Sequence, residues 1–102
     1  MYTQLTTADY KQAIEGTEEG ILLCSKELCP HCKNMGKVME KFAAKNPNVK
    51  LLTVDSEKEP DVMKAIDAER VPTVIIIKGG KIVAQKTGLM NPKDLGTFYA
   101  NA

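Results

Sequence analysis

Two cysteines, Cys29 and Cys32, enclose a proline and a histidine in the run Cys29-Pro30-His31-Cys32. On one helical turn, cysteines at this spacing close a disulfide with little backbone movement. Pro30 suits a helix that begins here, because a proline at the first helical position gives up only an N–H with no intrahelical partner. Cys29 then stands at a helix N-terminus, where unpaired N–H groups and the helix dipole favour negative charge. Such surroundings lower a thiol pKa, in proteins with paired cysteines of this kind to between about 3.5 and 7.5. Cys29, at the exposed end, is the expected nucleophile towards a disulfide, and Cys32, one turn further in, the expected resolver of the mixed disulfide. A protonated His31 stabilises a thiolate at Cys29. That makes Cys29 a better leaving group and raises the reduction potential. Lys26 and Lys33 add weaker positive potential.

Blander readings compete. One C-x-x-C is half of a structural zinc site and needs a second ligand pair. Only Cys24 and His31 remain as soft ligands, so no metal is expected. Cys24, on the strand leading to the motif, reads as a small buried hydrophobe. Val71-Pro72-Thr73 between a helix and a strand reads as punctuation, and the pattern by itself leaves the Val71–Pro72 bond at the ordinary, mostly trans ratio.

The elements that must position the dithiol follow from periodicity and breakers. Thr7 to Glu15 reads as a short helix with Ala8, Ile14 and Tyr10 inward. Ile21 to Cys24, almost wholly apolar, reads as a central strand. The helix beside Cys29 runs to about Lys45 with an apolar stripe of Met35, Val38, Met39 and Phe42, and Asn46-Pro47-Asn48 stops it. Val49 to Val54 is the next strand. Glu59 to Glu69 is a helix with Val62, Ala65 and Ile66 on one side, and Pro60 sits where a helix tolerates it. Thr73 to Ile77 and Lys81 to Lys86 form a hairpin through Gly79-Gly80. Gly88 breaks the second strand. Asn91 caps a last helix with Pro92 at its first position and Leu95, Phe98 and Tyr99 inward. A small strand near Gln4-Leu5 completes the order. A β–α–β unit followed by a hairpin makes a mixed sheet with helices on both faces.

Composition narrows the class. The chain has 102 residues, 43% of them hydrophobic, with no tryptophan. That suits one domain over residues 1–102, whose core is filled by Ile, Val, Leu and Met. Fourteen Lys and Arg against thirteen Asp and Glu leave a formal charge of +1, and the charges are interspersed, as on the solvated side of a helix. No nucleic-acid face and no polybasic membrane anchor are implied. Met1-Tyr2-Thr3-Gln4-Leu5 lacks the basic start and apolar run of a secretory leader. No apolar stretch approaches the ~20 residues of a membrane span. Three cysteines are an odd, sparse set for a stapling framework, so a cytoplasmic location is expected, where structural disulfides are rare.

Taken together, C-x-x-C after a strand, Val54-Asp55 closing the next, Val71-Pro72-Thr73, the Gly79-Gly80 hairpin and Gly88 before the last helix resemble the thioredoxin family over nearly the whole chain. The resemblance implies an α/β thioredoxin fold, a central mixed sheet of four or five strands flanked by about four helices. It implies that Pro72 is cis and packs against the dithiol, tuning the site with Pro30 and His31. It implies that the Val71 backbone pairs with substrate as a short strand addition, beside a substrate-binding surface that includes Leu28 and Gly88. Family members lack cofactors and draw electrons from a thioredoxin-reductase-like partner or another thiol system.

Three departures stand out. Pro30-His31 replaces the family's usual Gly-Pro and resembles the periplasmic disulfide oxidants, whose inserted helical domain has no room here. Leu23 stands where the family holds a buried acid and Leu51 where it holds the partner lysine. The pair is lost together, which avoids one unpaired buried charge. Leu28 replaces a tryptophan, and Lys37 stands near the place of a mid-helix proline. The first expectation is a thiol–disulfide oxidoreductase that reduces protein disulfides, acting as a monomer. Alternatives are an oxidant, isomerase-like or glutaredoxin-like exchange at a less reducing potential, or, in a different class, a protein-binding adaptor with incidental cysteines.

Overall fold

Ile21-Leu22-Leu23-Cys24 and Val74-Ile75-Ile76-Ile77 are apolar at every position because both of their faces are covered. The computed structural model describes residues 2–102. In chain order the elements are β1 (Thr3–Gln4), α1 (Tyr10–Glu15), β2 (Glu19–Ser25), α2 (Pro30–Lys45), β3 (Lys50–Asp55), α3 (Pro60–Ala65), β4 (Thr73–Lys78), β5 (Lys81–Thr87) and α4 (Pro92–Asn101). The five strands form one sheet in the order β1-β3-β2-β4-β5. β1, β3 and β2 run parallel, while β4 and β5 are antiparallel to their neighbours. This is the α/β thioredoxin fold, with a five-stranded mixed sheet flanked by four helices.

The alternation of strand side chains divides the core in two. Leu22, Cys24, Leu52, Val54, Ile75 and Ile77 face one side, where Ile14 of α1 and Val62 and Met63 of α3 cover them. Ile21, Leu23, Leu51, Val74 and Ile76 face the other, under Met35 and Met39 of α2 and Leu95 of α4. The stripe read on α2 thus buries Met35 and Met39 fully, with Val38 and Phe42 half-buried at its margin.

Two helices are shorter than their periodicity suggests. Before α1, the Asp9 Oδ1 accepts the Thr6 N–H at 2.8 Å, and this local turn competes with the helix. The helix therefore starts at Tyr10 rather than Thr7, and Ala8 is exposed, not inward. α3 ends at Ala65 rather than Glu69 because Asp67 takes a left-handed φ of 57° and the Ala68 N–H returns to the Met63 carbonyl at 2.9 Å. Ala65 is accordingly exposed, while Val62 and Ile66 are buried. The first strand covers Thr3–Gln4, and Leu5 follows it into the core, its N–H donating to Thr53 O at 2.7 Å. In the hairpin, Gly79 and Gly80 have φ of 62° and 76°. A Cβ on Gly80 would lie 2.6 Å from the Glu15 carbonyl oxygen, so the turn needs glycine there both for conformation and for room.

Candidate active site

Strand register gathers the motif residues at one end of the sheet. Ser25 at the end of β2 lies beside Asp55 at the end of β3, and Cys24 lies beside Thr73 at the start of β4. Thr73 in turn lies beside Thr87 at the end of β5. The loop to Cys29, the turn after Asp55, Val71-Pro72 and Gly88 therefore emerge together. The Gly88 N–H donates to the Pro72 carbonyl at 2.8 Å. The Met90 N–H donates to Met35 Sδ at 3.4 Å, joining that loop to the dithiol helix. Val71–Pro72 is the cis peptide that the resemblance implied. The Val71 side chain packs on the core beneath, and no backbone hydrogen bond among the described residues engages its amide or carbonyl.

Cys29 is the residue that caps α2. Its backbone is extended, Pro30 occupies the first turn, and its sulfur accepts the Cys32 N–H at 3.3 Å. Negative charge on that sulfur thus meets a hydrogen-bond donor and the positive end of a 16-residue helix. Cys29 and Cys32 are disulfide-bonded, with Cα atoms 5.2 Å apart. Cys29 is half-buried, whereas Cys32 is only 3% exposed. An incoming sulfur reaches Cys29 first, the order of access that attack followed by resolution requires.

The segment entering the helix is held from one side. The Ser56 N–H donates to the Ser25 carbonyl at 2.8 Å, and Asp55 Oδ1 accepts the N–H groups of Glu57 and Lys58 at 2.9 and 3.1 Å. Lys58 then reaches Glu27 at 3.4 Å. Both side chains are well exposed, so this pair adds little stability; in it Glu27 turns towards Lys58. Leu28 follows with a φ of 56° and is 100% exposed. A left-handed, solvent-facing leucine is unusual. It turns the chain immediately before the nucleophile and presents an apolar side chain beside it. Ser25, Lys26, Leu28, Cys29, Pro30, Cys32 and Lys33 line an open groove of about 740 Å³. Val71, Pro72, Gly88 and His31 do not line it; His31 is exposed on the first turn of α2.

The thioredoxin family model matches residues 1–101. The chain belongs to the thioredoxin family. It is 42% identical to desulfothioredoxin from Desulfovibrio vulgaris Hildenborough, whose reduced-form solution structure superposes with a TM-score of 0.86 over 98% of this chain and 97% of that one. A thioredoxin from Alicyclobacillus acidocaldarius is 31% identical over 95% of this chain and 93% of its own length. The chain is also 28% identical to monothiol glutaredoxin-4 of Schizosaccharomyces pombe over 84% of its own length, but it spans only 36% of that longer protein. Membership and the disulfide-forming pair together support oxidoreductase chemistry at Cys29 and Cys32.

Within this thioredoxin fold, the ground behind the dithiol is apolar. Leu23 and Leu51 are 4% and 3% exposed and share the cluster that contains Met35. Thr17 and Thr73 are the only buried polar side chains among the described residues, so no buried carboxylate stands near Cys32. Glu27, the nearest acid in sequence, is turned outward to Lys58. Cys24 lies in the core on the opposite face of the sheet, and burial pushes its thiol up to about 12.

That shift has a sign. In the unfolded chain the Cys24 thiol ionises near pH 9, while in the folded protein it keeps its proton to about pH 12. Between those values the unfolded state binds fewer protons, so stability is intact below about pH 9 and falls as pH rises. Tyr99 is raised to about 12, by burial first and by Glu19 second, and contributes in the same direction. Urea unfolding at pH 8 and pH 10.5 should show this loss, and Cys24→Ala should show a smaller one. An equal loss in the variant would exclude Cys24 as its source.

Three features of the site escaped the sequence. The Met35–Met90 hydrogen bond leaves no trace, because any apolar residue satisfies the stripe. Leu28's backbone reversal carries no glycine or asparagine to announce it. The Glu27–Lys58 pair depends on strand register.

Proposed function

We propose that this protein reduces disulfides in other proteins by dithiol–disulfide exchange. One observation carries the reading: a half-exposed sulfur at a helix N-terminus, bonded to a buried partner one turn further in. In the reduced protein the Cys29 thiolate attacks a substrate sulfur, forms a mixed disulfide and releases one substrate thiolate. Cys32, once deprotonated, attacks the Cys29 sulfur, closes the intramolecular disulfide and releases the second substrate thiol. The substrate gains two electrons and two protons. With Leu23 and Leu51 apolar, the Cys32 proton passes to water or to the departing substrate thiolate rather than to a buried carboxylate. The unpaired Val71 backbone is the edge on which an extended substrate segment adds as a strand, with Pro72 and Gly88 around it. Electrons come from a thioredoxin-reductase-like enzyme or another thiol donor, and the reducing cytoplasm is the compartment that keeps the pair as a dithiol. In an assay driven by dithiothreitol, the protein should accelerate reduction of insulin disulfides; no acceleration counts against the proposal.

A less reducing couple is the second reading, favoured by Pro30-His31 and by the apolar ground behind Cys32. We expect a reduction potential between about −270 and −120 mV, the values of a general reductant and a strong oxidant. His31→Leu should lower it by roughly 30 mV, equivalent to about 1.4 kcal/mol for this two-electron couple. Equilibration with glutathione buffers measures both. A wild-type potential below about −270 mV, or one unmoved in the variant, removes the tuning role of His31.

A further inference from the structure

The groove beside Cys29 is lined by cations and by no anion. Its lining contains two ammonium groups, Lys26 and Lys33, and no carboxylate. The one acid in the segment between Ser25 and Lys33 is Glu27, and Lys58 engages it at 3.4 Å. Among the described residues, neither Lys26 nor Lys33 has a carboxylate within ion-pair distance. The remaining lining is apolar or sulfur-bearing, and Leu28 is fully exposed beside it. Val71 and Pro72 do not contribute, so this groove is a second surface, distinct from the strand-adding edge.

Whatever approaches Cys29 through this groove meets two cations and an exposed leucine. Unpaired surface charges act over about 8 Å at physiological salt, enough to reach residues flanking a disulfide docked on Cys29. Complementary charge at such a distance raises association rates and rejects like-charged partners. We propose that the groove selects protein disulfides whose cysteine lies in an acidic, partly apolar segment, with substrate carboxylates at Lys26 and Lys33 and an apolar side chain against Leu28. A peptide is the better occupant than a small disulfide because the groove is open and its two kinds of contact are spread along the lining. This inference rests on the disulfide-reducing reading above.

The test uses the reduced 102-residue chain and three peptide disulfides that differ only in the residues flanking cysteine: glutamate, glutamine or lysine. Single-turnover reduction should be fastest for the glutamate peptide and slowest for the lysine peptide, with a ratio of about 10 at low salt that shrinks at high salt. In Lys26→Gln/Lys33→Gln the ratio should fall to within about 2-fold of unity. The ratio is the readout because it cancels any effect of the lost charges on the thiolate itself. A wild-type ratio near unity, or one unchanged in the double variant, overturns the proposal while leaving disulfide reduction standing. Reduction of none of the peptides overturns both. Oxidised glutathione reduced as fast as the glutamate peptide overturns the peptide assignment in favour of a small anionic disulfide.

Discussion

Cys29→Ser should lower the rate of protein-disulfide reduction by about 10³-fold or more, because it removes the cysteine sulfur that an incoming disulfide reaches first. Cys24 is buried on the other face of the sheet and cannot substitute. Cys32→Ser should behave differently. It keeps the attacking sulfur at the helix N-terminus but loses the resolving one, so it should react once and remain joined to its substrate. Incubation with insulin or with a cell extract, followed by non-reducing electrophoresis, separates the variants: covalent adducts with Cys32→Ser and none with Cys29→Ser. Reversed behaviour would exchange the two roles. Unchanged partner binding by both variants, without adducts, would favour the adaptor reading. The asymmetry follows from burial, since Cys32 is 3% exposed and its neighbour in the motif is half-buried.

The largest effect on stability is expected at the apolar ground behind the dithiol. Leu23→Asp places a carboxylate at a site 4% exposed, among Ile21, Met35 and Leu51 and without a partner. An uncompensated buried charge costs about 3–5 kcal/mol, and in a domain of this size each kcal/mol shifts Tm by roughly 4–8 °C. The melting temperature should therefore fall by more than about 10 °C at pH 7. The introduced carboxyl would stay protonated to higher pH in the folded state than in the unfolded one. The penalty should accordingly shrink as pH falls towards about 4, the carboxyl's unfolded pKa. Leu51→Lys offers a remedy. Leu23 lies opposite Thr53 and Ile21 lies opposite Leu51, so Leu23 and Leu51 sit on one face, two positions apart across parallel strands. A long side chain spans that diagonal. The double variant should be more stable than the sum of the single changes predicts, by about 0.5–3 kcal/mol. Strict additivity would show that the two positions do not communicate.

The site was legible in the sequence to the extent that its logic is local. Cys29 and Cys32 share a helical turn, Pro30 marks where the helix begins, and Asn91 with Pro92 marks another start; the structure confirms the last with an Asp94 N–H to Asn91 Oδ1 bond of 2.8 Å. Central strands were legible because parallel or doubly covered strands are apolar throughout. The errors fall where a turn competes with a helix. Ala8 fits an apolar period but lies in the turn that Asp9 holds, and Ala65 fits one but is the exposed last residue of α3, two before the left-handed Asp67. Alanine is a weak marker of burial, because it costs little to leave exposed.

What the sequence determined by itself about this thioredoxin-family protein is the reactive pair and the order of the elements that carry it. Spacing, capping and periodicity act within a few residues, and the physics is already present in the unfolded chain. Only the tertiary structure decided what surrounds the pair. Strand register brings Pro72, Gly88 and the turn after Asp55 to the same end of the sheet. It also turns Glu27 towards Lys58 and leaves Lys26 and Lys33 facing the groove beside Cys29. Those neighbours are remote in sequence, and their charge and burial exist only once the sheet has closed over its two cores.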